Sequence, residues 1–548
     1  MASDAQAARF LQQAQFSSTD TDMAALRSSG YATWLTQQFA APQGQTGWDW
    51  LEQRGYGVAD INRYFFSEYP ADFMLWNQLL TAPDAMRKRL ALALSEFFVV
   101  SLQSAEFNWR SHAFAAWWDM LAKNAFGNYR QLLEDVTLHP AMGYYLNTKG
   151  NQKEDTRSGR VPDENYAREV MQLFTLGLYQ LNTDGSEKRD GGGVKLETYT
   201  QSDVSNLARV FTGYDFDTSD GVRVQVPKDG GGFESYTIES RDFARKPMAL
   251  TESKHSTLAA TFLGATIPAN TLGVPALKTA LDTLFNHPNV GPFLGRQMIQ
   301  RLVTSNPSAA YVSRVASAFN NNGAGVRGDL KAVWTAILLD DEALGAASLS
   351  NPYFGKLREP MLRFVQWGRS FGVASTAGTW KLFETTNAAT QLGQSPLRSP
   401  SVFNFFRPGF VPPGTALATN QVPAPEFQLV NESTVGGYLN YMQGVIRSGI
   451  RIGEPTLPQA AYTNYPVVND VIASYSAELA LAADASALVQ RLGLVLCAGN
   501  LSAATQTLIV SALNATPVTT ASTAAQKLDR IAAAVLLVMG CAEYLIQK

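Results

Sequence analysis

Cysteine and histidine are nearly missing from this chain. Its 548 residues include two cysteines, Cys497 and Cys541, and four histidines, His112, His139, His255 and His287. None of them falls into HExxH, HxxxH or CxxC spacing, which excludes the usual zinc and haem-attachment sequences. Charge is also scarce: 17% of residues are charged, against the usual ~25%. The net charge of −3 gives no global field to recruit nucleic acid or an anionic membrane. No apolar run reaches ~18 residues, so no transmembrane helix is implied. There is no Walker A loop, no dinucleotide fingerprint after a strand and no GxSxG. Gly191-Gly192-Gly193 is not followed by Lys-Ser or Lys-Thr. The cofactor therefore stays unknown: no nucleotide or haem motif is present, and an oxygen-ligated metal is left open.

What is present is apolar periodicity. Hydrophobic residues make up 46% of the chain, enough for a large core. Apolar residues recur at helical spacing over residues 86–100, 112–124, 277–285, 290–304, 309–320 and 330–339, and again over 437–451, 474–496, 505–513 and 524–546. Strand signals are few: a turn-rich hairpin over 181–193 and a second small hairpin over 222–238 around Gly230-Gly231-Gly232. The pattern predicts a mainly α protein, a large multi-helix body with long ordered loops and one or two small β-hairpins. Its regions would be an N-terminal helical part over 1–213, a loop-and-strand insertion over 214–275, and a central helical part over 276–370. Gly/Pro-rich wrapping loops over 371–430 and C-terminal helices over 431–548 would complete one continuous unit.

The two cysteines lie in apolar helical runs. They are either buried free thiols or a disulfide joining two helices, which would require an oxidising compartment and contribute roughly 3–4.7 kcal/mol in the chain-entropy model. The first residues, Met1-Ala2-Ser3-Asp4-Ala5-Gln6, lack a basic start followed by an apolar stretch. The expectation is a chain that either stays in the cytoplasm or lost a signal ahead of Ala2 or Ser3.

The densest polar stretch is PDENYAREVMQLF, residues 162–174. Pro162 suits a helix start, and Asp163 and Glu164 suit the positive end of a helix dipole. Glu164–Arg168, Asn165–Glu169 and Arg168–Gln172 are spaced i,i+4, where each surface pair is worth a few tenths of a kcal/mol. A cap, a surface ion pair and an apolar stripe account for every residue. The alternative is an inner polar site in which Glu164, Asn165, Arg168 and Glu169 tune one another's protonation.

Other candidates are more isolated. His139 and His287 each precede a proline, a placement more typical of a turn than of a ligand. A non-haem iron site from His139, His255 and Glu169 would need tertiary convergence. Asn182, Asp184 and Asp190 offer oxygens to calcium but lack the EF-hand series, and Asp-Gly turn chemistry explains them. Tyr144, Gln172 and His255 are candidate substrate contacts around the 162–174 segment. Arg296, Arg301, Arg314 and Arg327, and the charges of GKLREP (355–360), read as helix-surface and helix-start residues.

Several of these segments together resemble a family. NAFGNYR (124–130), LLEDVTLHPAM (132–142), PDENYAREVMQLFTLG (162–177), YTQSDV (199–204), ARVFTG (208–213), HPNVGPFLGRQMIQRLVTSNP (287–307), GKLREP (355–360) and SPSVFNFF (399–406) are similar, in order, to the bacterial proteins grouped as domain of unknown function 1800. The resemblance implies a largely helical fold and an exported, periplasmic or extracellular protein whose signal has been removed. It also implies a companion, a sulfatase- or phosphatase-like exported protein encoded beside it. It implies no established activity. Family members that read LFWHNHF have histidines where this chain has Leu94-Ser95-Glu96-Phe97-Phe98, so a metal site built on those histidines does not carry over. Three functions are compatible with these observations. One is an accessory or binding partner of the exported hydrolase-like protein. Another is an enzyme using Glu164, Arg168 and Glu169 with Asn165 and His139. The last is a structural envelope protein.

Overall fold

In the computed structural model, which describes residues 2–58, 64–227, 230–453 and 467–548, helices carry the architecture. Residues 59–63, 228–229 and 454–466, which fall in the regions drawn above as 1–213, 214–275 and 431–548, lie outside the described residues. The described residues form twenty-five α-helices and five two-stranded antiparallel sheets. The protein is mainly α, with small hairpins between helices.

Local chemistry starts the helices where the side chains permit. Reciprocal capping boxes open Asp4–Ala14 (Ser3 with Gln6), Gln201–Val210 (Thr200 with Asp203) and Ala524–Gly540 (Thr523 with Gln526), each satisfying amides that a helix start leaves unpaired. One contiguous apolar core reaches from Ala7 to Tyr544. Trp76, Trp117, Trp118, Trp334 and Trp367 are fully buried within it. A smaller cluster joins Trp48, Phe65, Trp109 and Phe243.

Three helices stop earlier than their periodicity predicts. The run over 86–100 is helical only as Ala85–Ser95. Phe97 and Phe98 close the helix in a turn, their amides donating to the Leu94 carbonyl, and the β-branched Val99 and Val100 follow as buried non-helical chain. The run over 474–496 divides into Ser476–Leu479 and Ala485–Cys497, because Asp484 accepts from the amides of Ser486 and Ala487 and starts a new helix. The run over 524–546 ends at Gly540 and is followed by Ala542–Leu545 and the strand Ile546–Gln547.

Strands are more numerous than the one or two hairpins expected. Residues 214–275 contain the pairs Tyr214–Asp215 with Ala249–Leu250, Gly221–Pro227 with Phe233–Glu239, and Ala260–Phe262 with Ala265–Ile267. Residues 178–197 fold back as a ribbon of isolated bridges, Leu181 opposite Glu187 and Arg189 opposite Lys195. Late in the chain, Ile546–Gln547 pairs antiparallel with Lys356–Leu357, which sets the GKLREP segment deep in the body.

Candidate functional site

The 162–174 segment separates its polar residues between two environments. Its helix, Asn165–Glu169, passes directly into a π-helical turn, Val170–Thr175, a widened turn that often accompanies functional positions. Before it, Asp163 accepts from the Asn165 amide at 2.8 Å. On the outer side, the Glu164 carboxylate accepts from Ser205 Oγ at 2.6 Å, Gln201 Nε2 at 2.8 Å and Arg168 Nη2 at 3.2 Å. Arg168 also donates to Gln201 Oε1 at 3.0 Å. The Ser205 hydroxyl, followed by Gln201 and Arg168, holds the Glu164 carboxyl below its ordinary range. This network ties the segment to helix Gln201–Val210 and stays partly open to solvent, where such pairs are weak.

Glu169 turns the other way. It is buried at 9% exposure, and its Oε2 has no hydrogen-bond partner within the protein. Burial pushes its carboxyl up, with Arg168 opposing. Burial, with the Glu169 charge second, also pushes the Tyr145 phenol up to about 12. Gln172 accepts from the Tyr199 hydroxyl at 2.8 Å, and Tyr144 accepts from the Glu106 amide at 3.3 Å. The structure thus brings Glu164 and Arg168 together at the surface, and places Glu169 inside near Tyr145.

The remaining candidates are engaged locally. His139 Nδ1 accepts from the Ala141 amide at 3.2 Å and caps helix Pro140–Tyr145. Burial lowers this imidazole to about 3, so it is neutral. It lines a surface cavity of about 680 Å³ with Asp119, Glu134, Asp135 and Trp48. Burial lifts Asp119 there to about 6 against the two amides it caps, Trp48 and Gly47. His255 is buried with Nδ1 3.0 Å from the Thr212 carbonyl. Asp184 accepts from the Ser186 amide and hydroxyl, Asn182 donates to Ser186 Oγ, and Asp190 accepts from the amides of Gly192 and Val194. Those oxygens close their own turns. Among the described residues no group of three or more His, Cys, Asp or Glu side chains gathers to hold a metal ion. Cys497 and Cys541 are neighbouring free thiols, so the bridge weighed from the sequence is not formed in this structure.

Sequence reasoning missed the largest concentration of buried charge. Lys356 Nζ lies 3.0 Å from Glu426 Oε1 and 3.7 Å from Glu359 Oε1, and donates to the Arg301 carbonyl at 2.8 Å. Arg301 Nε lies 3.8 Å from Glu96 Oε2, and Arg89 Nη2 donates to the Arg301 carbonyl at 2.6 Å. None of these six residues is more than 4% exposed. Burial and then the Glu359 charge push the Glu96 carboxyl up, against Arg301, Arg89 and Lys356. The available signal was the placement of Arg89 and Glu96 within a run whose neighbours Leu90, Leu92, Leu94 and Phe97 are all core.

A family model matches residues 9–546, nearly the whole chain. The chain belongs to the family described as protein of unknown function, DUF1800. No curated protein matches it. No solved structure matches it. In this DUF1800 protein, segments far apart in sequence converge on the buried charges. Residues 287–307 supply Arg301, GKLREP supplies Lys356, Arg358 and Glu359, and SPSVFNFF supplies Ser399 and Asn404, which share a small cavity with Glu96. The longer PDENYAREVMQLFTLG segment packs beside them: the Phe174 ring lies 5.3 Å from that of Phe98, two residues after Glu96.

Proposed function

We propose that this DUF1800 protein is exported and works at the cell envelope or outside it, as an accessory or binding partner of a sulfatase- or phosphatase-like protein. The observation that carries the reading is the arm formed by Gly221–Pro227 and Phe233–Glu239. These strands pair with each other and with no third described strand. Gly221, Arg223, Gln225, Phe233, Glu234 and Ser235 are all exposed, Phe233 at 67%. Free strand edges beside an exposed aromatic ring suit docking by strand addition. Among the described residues no helix is long and apolar enough to cross a membrane. The test co-expresses the chain with the sulfatase- or phosphatase-like protein encoded beside it and follows co-elution on size exclusion. Complex formation that weakens in Phe233→Ser supports the reading; two independent elution peaks from the wild-type pair refute it.

A second reading is favoured by Glu169. A buried carboxyl with one unpartnered oxygen, pushed upward and placed at a π-helical turn, has the properties of an acid/base group. Arg168 would moderate it, and Glu164 would anchor Arg168. Assay of wild type and Glu169→Gln against aryl ester, phosphate and sulfate substrates tests this. An activity that persists unchanged in Glu169→Gln removes Glu169 from the chemistry.

A further inference from the structure

Between helix Ala85–Ser95 and the loop over 395–405 lies a small cavity of about 10 Å³, lined among others by Glu96, Ser395, Ser399 and Asn404. All four side chains are buried, at 4%, 0%, 4% and 7% exposure. Both Glu96 carboxyl oxygens, the Ser395 hydroxyl and Asn404 Nδ2 have no hydrogen-bond partner within the protein; the Ser399 hydroxyl meets the Tyr145 phenol and has capacity for a second bond. Leaving such groups unpaired is costly, so a guest that pairs them is strongly held.

Size and polarity fix the guest. A volume of about 10 Å³ is the room one water needs, ~10–15 Å³ on this measure, and excludes any organic ligand. Charged or neutral, Glu96 keeps at least one oxygen that only accepts, which a halide would leave unpaired; Asn404 Nδ2 presents only a donor, so a bare cation or ammonium has nothing to offer it. The serine hydroxyls serve in either sense. One neutral molecule meets all four by donating to Glu96 and one serine, and accepting from Asn404 and the other serine.

We propose that this cavity is a dedicated site for a single water molecule that links Glu96 to Ser395, Ser399 and Asn404. The site stands independently of whether the protein is an enzyme or a docking partner. It gives the end of helix Ala85–Ser95 a hydrogen-bonded tie to the SPSVFNFF loop, which makes no other side-chain bond to Glu96.

A crystal structure of the full chain, at a resolution that shows ordered solvent, is the test. One isolated peak within hydrogen-bond distance of Glu96 and Asn404 is expected, with no anomalous signal after rubidium or bromide soaks. An anomalous peak from either ion overturns the assignment, as does a cavity without density. Ser399→Val should expel the water and lower the melting temperature. Ser399→Ala, the milder change, should keep the peak with one contact fewer. Loss of the peak in Ser399→Ala with no change in melting temperature also counts against the site.

Discussion

Replacing Lys356 by methionine keeps the side-chain volume and removes the charge at the middle of the buried ionic centre. Lys356 is 2% exposed and serves Glu426 at 3.0 Å, Glu359 at 3.7 Å and the Arg301 carbonyl at 2.8 Å. After Lys356→Met, Glu426 keeps the Ser305 hydroxyl at 3.0 Å and Glu359 keeps the Gln394 amide at 2.6 Å. The two buried carboxylates then lose their ion-pair partner and keep only the longer-range fields of Arg89 and Arg301. Removing one partner of a buried pair costs about 3–5 kcal/mol. With an unfolding entropy of about 2.1 cal/mol/K per residue over 548 residues, 1 kcal/mol corresponds to about 0.9 °C, so the expected drop is about 3–4 °C. Differential scanning calorimetry at several scan rates measures it. Lys356→Met/Glu426→Gln should recover more than half of the loss, because the double change removes a charge of each sign. A single-variant loss below about 1 kcal/mol, or a double variant less stable than both singles, refutes the view that this centre is held by charge pairing.

Glu169→Gln should stabilise by on the order of 1 kcal/mol at alkaline pH. A carboxyl raised by burial contributes stability at low pH that is lost as pH rises through its folded pKa, so the melting-temperature gain should shrink toward acid; a gain that grows on acidification refutes this. His139, lowered to about 3, gives the opposite sign: its unfolded imidazole binds protons first, so it should remove about 2 kcal/mol of stability between about pH 6.5 and pH 5. His139→Asn, which retains a capping oxygen, should flatten that part of the pH–stability curve by nearly one proton. Purified under reducing conditions, the chain should show two thiols per molecule by reagent titration, as in the structure. If export oxidises the neighbouring pair, the resulting loop should add about 4 kcal/mol, and two reactive thiols in protein recovered from the envelope would exclude that bridge.

Some of the candidate site was legible because its chemistry is local. Glu164 and Arg168 meet as i,i+4 neighbours at 3.2 Å, and His139 caps the helix that follows it. Glu169 was not assigned to the interior because its i,i+4 spacing from Asn165 reads equally well as a surface pair, and only the packing of the helix shows it buried. Lys356 and Glu359 looked like charges at an exposed helix start. Their partners Arg301 and Glu426 lie more than fifty residues away, and only tertiary packing brings them together. The helices were read well in the middle and poorly at the ends, where Asp484 or a run such as Phe97-Phe98-Val99-Val100 overrides periodicity.

The GKLREP segment is gripped from both ends of the chain. Arg358 donates to Gln12 in the first helix at 2.8 Å, and Lys356–Leu357 pairs with Ile546–Gln547, whose glutamine also donates to the Leu302 carbonyl at 2.8 Å. During synthesis the first helix emerges long before its partner, and the pairing strand emerges only after residue 547. A nascent chain therefore carries Lys356 without Glu426, and the Lys356–Leu357 strand without Ile546–Gln547, until those segments emerge. Deleting residues 546–547 would remove the strand that covers Lys356–Leu357 and should lower the soluble yield.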